Sequence, residues 1–461
     1  MSITRLLQQA SGGSGDGEDP YFADVSLLLD GNGTNGADNN TFTDSSSNGN
    51  TVLATGNVYQ GSFSPYATSE PLDMTTDGGS VYFDGSNNIN LSVSDPTAFD
   101  FSTGDFTVEC FFYQLAQGTS NFTILAAATG RNIYFALGSG FGGGLTMYSG
   151  ASSSDIYSGA SSMPALNQWN HLVWQRRGGR GQMYVNGTRV YDAVYSADFG
   201  TVQSGFTVGS SSYYGSTYIT TGYISDFRVV KGTGVYNGAT ITVPTSPLGL
   251  TSGTELLLKG TDAGIYDLAG KDNIKTVGNA QIDTAVKKYG TGSIKFDGAG
   301  DKLLIKEHAG TLTFSTDDFT VETWAYFNSV SGTSILIDWR SANGNQGLRP
   351  TLYVEGTALS FYNGSVRISS NSLSGRTNQW LHVALVRSSG QTKLYIDGTQ
   401  EGVTYTDSTN YLGTQDGSLY IGALGDGSYE TNGYLDDLRI TKGVARYTSN
   451  FTPPTAALPK F

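Results

Sequence analysis

The sequence predicts an all-β protein that carries the same sandwich twice, and three observations lead there. The first is composition. Gly reaches 62 of 461 residues, Tyr 28 and Phe 22, while charged residues make up only 14% and just nine of the 40 acids are Glu. Aromatic strand formers and the Gly, Ser, Asn and Thr of turns abound, and the residues of helix surfaces are scarce. The second is an internal duplication with an offset of about 213 residues, which makes each copy a whole domain and not a solenoid repeat. The third is a period of two within each copy, as half-buried strands require. Many short strands at this spacing mean a two-sheet sandwich or a barrel.

Taken in order, the chain opens with a short segment in which Ile3, Leu6, Leu7 and Ala10 follow helical spacing. A Gly/Ser spacer covers residues 11–17. Residues 1–23 are therefore expected to act as an anchor and spacer, 24–248 as the first domain and 254–461 as the second. Gly249 to Gly253 would form the connector. The domain openings match, Leu27-Leu28-Leu29 against Leu256-Leu257-Leu258. Phe83-Asp84-Gly85 returns as Phe296-Asp297-Gly298, and Phe106-Thr107-Val108-Glu109 as Phe319-Thr320-Val321-Glu322. Trp169-Asn170-His171 returns as Trp380-Leu381-His382, and Gly222-Tyr223 to Arg228 as Gly433-Tyr434 to Arg439. One face of the strand from Phe106 carries Val108, Cys110 and Phe112. Asn186-Gly187 and Asp397-Gly398 mark two hairpins, because a type I′ turn needs positive φ at both central residues.

Function is narrowed by exclusion. A net charge of −14 argues against a nucleic-acid groove, since phosphate contacts need Lys and Arg. No apolar run is long enough to span a membrane, and no signal-peptide pattern is present. Cys110 is the single cysteine, so no intramolecular disulfide forms; it reads as a small core residue. Gly31 to Gly36 matches Gly-x-Gly-x-x-Gly, but turn residues follow where a dinucleotide site needs a helix. It reads as a loop. Glycoside hydrolysis needs two carboxyls about 5–10 Å apart. Glu109 and Glu322 have Phe111, Tyr113, Trp324 and Tyr326 at their i+2 and i+4 positions, so both read as structural strand residues. His171 and His382 read as buried rings with one hydrogen bond, and His308 as a surface residue.

The combined pattern of Phe-Asp-Gly, Phe-Thr-Val-Glu, Trp-x-His and Gly-Tyr-Ile/Leu-x-Asp resembles the laminin-G-like, concanavalin A-like jelly roll. That resemblance implies a pair of tandem jelly-roll sandwiches, a fold that hosts lectins, glycanases and adhesion modules. The jelly-roll glucanases carry a Glu-x-Asp-x-x-Glu run, and none of the nine Glu residues lies in one. Related sandwiches bind Ca²⁺ through loop carboxylates and carbonyls. Asp84, Asp226, Asp297 and Asp437 occur in both copies, whereas Asp301 and Asp436 face Asn88 and Ser225 in the first. If one domain holds Ca²⁺, the second does, through Asp301 and Asp436. Glycan binding would need exposed aromatics, and the loop tyrosines Tyr213, Tyr214, Tyr218 and Tyr429 are the candidates. Trp169, Trp324, Trp339 and Trp380 read as core residues.

The first 66 residues also resemble virion proteins of tailed phages of aquatic bacteria, on Pro20-Tyr21-Phe22, Leu27 to Gly31 and Gly61 to Tyr66. This second resemblance implies a non-enzymatic decoration, fibre or tail component, located in the virion and present in many copies or as a homo-oligomer. Ile3, Leu6 and Leu7 would dock on other virion proteins, and the sandwiches would face host surface polysaccharide. The alternatives are a free or cell-surface carbohydrate-binding adhesion protein and, third, a glycan hydrolase.

Overall fold

The computed structural model describes residues 19–66, 73–86, 90–93, 100–116, 122–127, 133–138, 143–200, 206–209, 220–259, 261–307, 310–341, 348–414 and 417–459. Among these, helix is limited to one turn at Met74–Asp77 and 3-10 turns at Phe22–Asp24 and Ala160–Ser162. All other regular structure is antiparallel strand. The chain forms two compact units, each a jelly-roll sandwich of an 8-stranded front sheet on a 7-stranded back sheet.

In the first sandwich the front sheet runs Thr188–Val194, Arg180–Val185, Trp169–Arg177, Phe106–Gln114, Thr221–Lys231, Ser80–Asp84, Tyr59–Gly61. Alternation sends Phe106, Val108, Cys110 and Phe112 into the core, where Trp174, Phe83 and Phe135 meet them. Thr107, Glu109, Phe111 and Tyr113 take the outer face, yet of these four only Tyr113 is even half-exposed. The reason lies beyond strand Thr221–Lys231. Residues 233–249 lie over that outer face, with the Thr107 hydroxyl donating to the Thr233 carbonyl (3.0 Å) and the Tyr236 amide to Gln175 (3.0 Å). The second sandwich repeats the plan: the Thr320 hydroxyl donates to the Val444 carbonyl, and Tyr447 and Phe451 pack on Tyr395 and Ala384.

The domain boundaries differ from those the sequence order suggests. Strand Val25–Leu29 opens the first repeat but pairs with Asn432–Lys442, with Leu27 opposite Ile440 and Leu29 opposite Leu438. Strand Thr254–Leu258 opens the second repeat but pairs with Thr221–Lys231, with Leu256 opposite Val229 and Leu258 opposite Phe227. Leu27 and Leu29 enter the second core, Leu256 and Leu258 the first. Among the described residues the first sandwich is thus 39–263 and the second 19–38 plus 264–459, not 24–248 and 254–461. Two nearly identical leucine strands can complete either sheet, so the pattern alone does not say which goes where. Residues 249–253 are likewise no free connector, since Lys231 donates its amide to the Gly253 carbonyl (2.8 Å).

The anchor segment is shortened by the same finding. Asp19 is buried, and its carboxylate accepts from Arg439 (3.0 Å) and twice from Arg446 (3.0 and 2.9 Å), so residues 19–23 belong to the second sandwich. Ile3, Leu6 and Leu7 lie outside the described residues. The hairpin turns are as expected: Asn186 and Gly187 have φ of 48° and 80°, Asp397 and Gly398 48° and 74°.

Candidate functional site

Each front sheet holds a buried quartet at its centre. In the first sandwich Glu109 accepts from Arg228 (2.6 and 3.0 Å) and from the Tyr236 hydroxyl (2.5 Å), with His171 Nε2 at 3.1 Å. In the second, Glu322 accepts from Arg439 (2.7 and 3.0 Å) and Tyr447 (2.7 Å), with His382 at 3.3 Å. Burial alone would raise the Glu109 carboxyl; His171, Arg228 and Tyr236 outweigh it and hold it below the usual range. Glu322 is held low in the same way, against burial, by Arg439 and His382. Both carboxylates are sealed from solvent by the crossing C-terminal segments, so no glycosidic bond can approach them. The structural reading of both Glu and of His171 holds; His382 is buried as expected, but its Nε2 approaches Glu322 at 3.3 Å without making a hydrogen bond. What the sequence did not disclose was that they meet. Their repeat equivalence was the available signal, since three polar residues on one face of adjacent strands and a tyrosine shortly after the last strand recur together.

The carboxylates proposed for an ion are occupied by the protein itself. Asp301 accepts the amides of Asn279 (2.7 Å) and Asp297 (2.8 Å), capping a turn. Asp436 accepts those of Lys288 (2.9 Å) and Tyr289 (3.0 Å), and burial pushes its carboxyl up to about 7. The two have no partner in common in these bonds. Among the described residues, no three His, Cys, Asp or Glu side chains gather as an ion would need. Cys110 is fully buried in the core, where desolvation raises its thiol. Gly31 to Gly36 is a loop of the second sandwich, with the Gly36 amide donating to the Ile282 carbonyl (2.8 Å).

Of the tyrosine candidates, Tyr213, Tyr214 and Tyr218 lie outside the described residues, as does His308. Tyr429 is 40% exposed at positive φ (58°), beside Glu430, whose carboxylate accepts the Gly300 amide (2.6 Å). The tryptophans divide. Trp339 is core, donating its Nε1–H to the Leu312 carbonyl (3.0 Å). Trp324 is buried but on the outer face, against Tyr289. Trp169 and Trp380, expected in the core, are half-buried on that same outer face, beside Tyr113 (5.5 Å between ring centres) and Tyr326 (5.4 Å). Alternation placed them on the face opposite the core leucines.

Fold and site together define a tandem jelly-roll module whose strand carboxylates are structural. The chain belongs to the Concanavalin A-like lectin/glucanases superfamily, whose family model matches residues 83–233 and 297–446. No curated protein matches. Among solved structures, domain 4 of AbnA, a GH43 extracellular arabinanase from Geobacillus stearothermophilus, in complex with arabinotriose, is similar at 18% identity. It covers 45% of this chain and 92% of that one, with a TM-score of 0.33. The receptor binding domain of botulinum neurotoxin C/D mosaic serotype is similar at 18% identity over 40% of this chain, with a TM-score of 0.31. The serotype D ligand binding domain, in complex with N-acetylneuraminic acid, is similar at 16% over 40%, with a TM-score of 0.32. The match spans 46% of each neurotoxin domain.

Proposed function

We propose that this protein is a non-catalytic glycan-binding protein, displayed on a phage particle as a decoration, fibre or tail component. The observation that carries the binding reading is the fate of the strand glutamates. In a superfamily of lectins and glucanases, these front sheets bury their central glutamates under their own C-terminal segments. Aromatic side chains then supply the contact, the exposed Tyr429 of the second sandwich and, by their place in the sequence, Tyr213, Tyr214 and Tyr218 of the first repeat. The particle location is supported by the resemblance of the first 66 residues to virion proteins, with residues 1–18 as the attachment and host surface polysaccharide as the ligand.

Two measurements test this. Incubation with bacterial surface polysaccharides should release no reducing ends above a boiled control, while a glycan array should register binding. Turnover lost on Glu109→Gln or Glu322→Gln would overturn the non-catalytic reading. Deleting residues 1–18 should abolish incorporation into particles and leave the array signal intact; normal incorporation would sink the virion assignment.

A further inference from the structure

Across the front sheet of each sandwich runs a straight row of side chains in direct cross-strand register. In the first it is Tyr59, Tyr82, Tyr223, Tyr113 and Trp169. In the second the matching row is Gln281, Lys295, Tyr434, Tyr326 and Trp380. Each row lies on the face opposite the core.

The two rows end differently. In the first, Phe63 from the same unit rests on the rings, with centroids 4.8 Å from Tyr223, 5.0 Å from Tyr113 and 5.2 Å from Trp169. Under it Tyr223 is only 1% exposed. In the second, the corresponding stretch reads Thr284-Ala285-Val286-Lys287-Lys288, without an aromatic residue. Tyr326 and Trp380 are half-exposed like Tyr113 and Trp169, and the difference falls at Tyr434, which is half-exposed where Tyr223 is buried. The neighbouring positions change character as well. Leu115 and Thr221 stand beside the first row, with Leu115 donating its amide to the Thr221 carbonyl (3.3 Å). Asn328 and Asn432 hold the equivalent bond (3.1 Å) in the second. Both are exposed, Asn328 donates to the Asn432 side-chain oxygen (2.6 Å), and exposed Asp297 lies directly opposite Asn432.

We infer that the row Tyr434–Tyr326–Trp380, half-exposed and without an aromatic cap among the described residues, is with its flanking amides a sheet-face binding platform for a neutral linear glycan. This rests on the glycan reading above and gives it a site distinct from the loop tyrosines. The first sandwich shows that the three side chains hold one six-membered ring among them, edge-on to Tyr113 and Tyr223 (79° and 68°) and tilted 35° to Trp169. A pyranose offers such a ring, apolar on its C–H face and ringed by hydroxyls. Amide and carboxylate groups one step along the strands are placed to meet those hydroxyls. Neighbouring positions in the row are about 4.8 Å apart, the strand spacing, so the three side chains together span a surface the size of one sugar ring and its linkages. The net charge of −14 disfavours a polyanionic occupant.

The test uses the full-length chain with dextran, mannan, arabinan and a soluble β-glucan as probes, read by affinity electrophoresis and tryptophan fluorescence. Asn328→Leu, an exposed change that copies the first sandwich, should weaken binding about tenfold or more at an unchanged melting temperature. Tyr434→Ala should do at least as much. Phe63→Ala, which uncovers the first row, should raise the number of sites. If the probes bind and neither Asn328→Leu nor Tyr434→Ala matters, the platform is refuted while glycan binding stands. Loss confined to Tyr214→Ala likewise refutes the platform and moves the site to the loop. A Tyr434→Ala variant that dissolves an oligomer without altering glycan binding would make the row a self-contact and refute the proposal. Binding of no probe by any variant removes the glycan reading and the platform together.

Discussion

Glu322 sits wholly out of water, and a carboxylate there survives only because Arg439, Tyr447 and His382 surround it and Asp19 shares the Arg439 charge. Breaking such a pair leaves the partner's charge unmatched, which typically costs about 3–5 kcal/mol. Glu322→Gln should therefore lower the unfolding free energy of the second sandwich by about that amount near neutral pH. The pH dependence follows from the depressed carboxyl. A group whose folded value lies below its unfolded one contributes above the unfolded value, about 4.3 for Glu, and loses that contribution as pH falls through the folded value. In urea titrations the gap between wild type and Glu322→Gln should be full at pH 6 and shrink steadily between pH 4 and pH 2. A gap independent of pH would mean that packing, not charge, holds the quartet. Asp19 offers the companion measurement from the other side of Arg439. Asp19→Ala should destabilise the second sandwich by about 3 kcal/mol or more and leave the first unchanged.

At the scale of strands and turns, what could be read from sequence was whatever is local. The Asn186-Gly187 and Asp397-Gly398 turns announce themselves, because few residue pairs take positive φ twice in succession. The alternation from Phe106 to Phe112 assigns each residue to a face without reference to the rest of the chain. It does not say what covers that face. Trp169 and Trp380 were legible as strand residues but not as half-open ones, because their exposure depends on where a distant segment stops crossing the sheet. The quartets needed three strands and a crossing tail to come together, and only the duplication hinted at it. The strand partners of Leu27 to Leu29 were not legible at all, since Leu256 to Leu258 present the same pattern. An element-level test follows from Asp19. Removing residues 1–18 should leave the melting temperature unchanged, whereas removing 1–24 should lower it, because only the longer deletion takes away a buried partner of Arg439 and Arg446. Equal melting of the two truncations would place Asp19 outside the fold.

For the whole molecule, the trade of opening strands changes which pieces of chain can fold alone. A fragment of residues 24–248 follows the repeat but omits Thr254–Leu258, and it carries Val25–Leu29 with no partner strand present. Leu256, Leu257 and Leu258 are all nearly inaccessible in the first sandwich. Leaving three such side chains unburied forfeits roughly 5–9 kcal/mol, comparable to the entire margin of about 5–15 kcal/mol that keeps a domain folded. The fragment would also expose two sticky features, an unfilled strand position beside Phe227 to Val230 and a free leucine strand. Both invite pairing between chains. Residues 39–263, by contrast, contain every described strand of the first sandwich, including Thr254–Leu258. This fragment should be monomeric and unfold in one cooperative urea transition. The 24–248 fragment should aggregate or melt without cooperativity, and extending it to residue 263 should restore the transition even with the idle leucine strand still attached. If 24–248 proved as stable as 39–263, strand Thr254–Leu258 would be dispensable and the division of the chain at 38/39 and 263/264 would lose its physical basis.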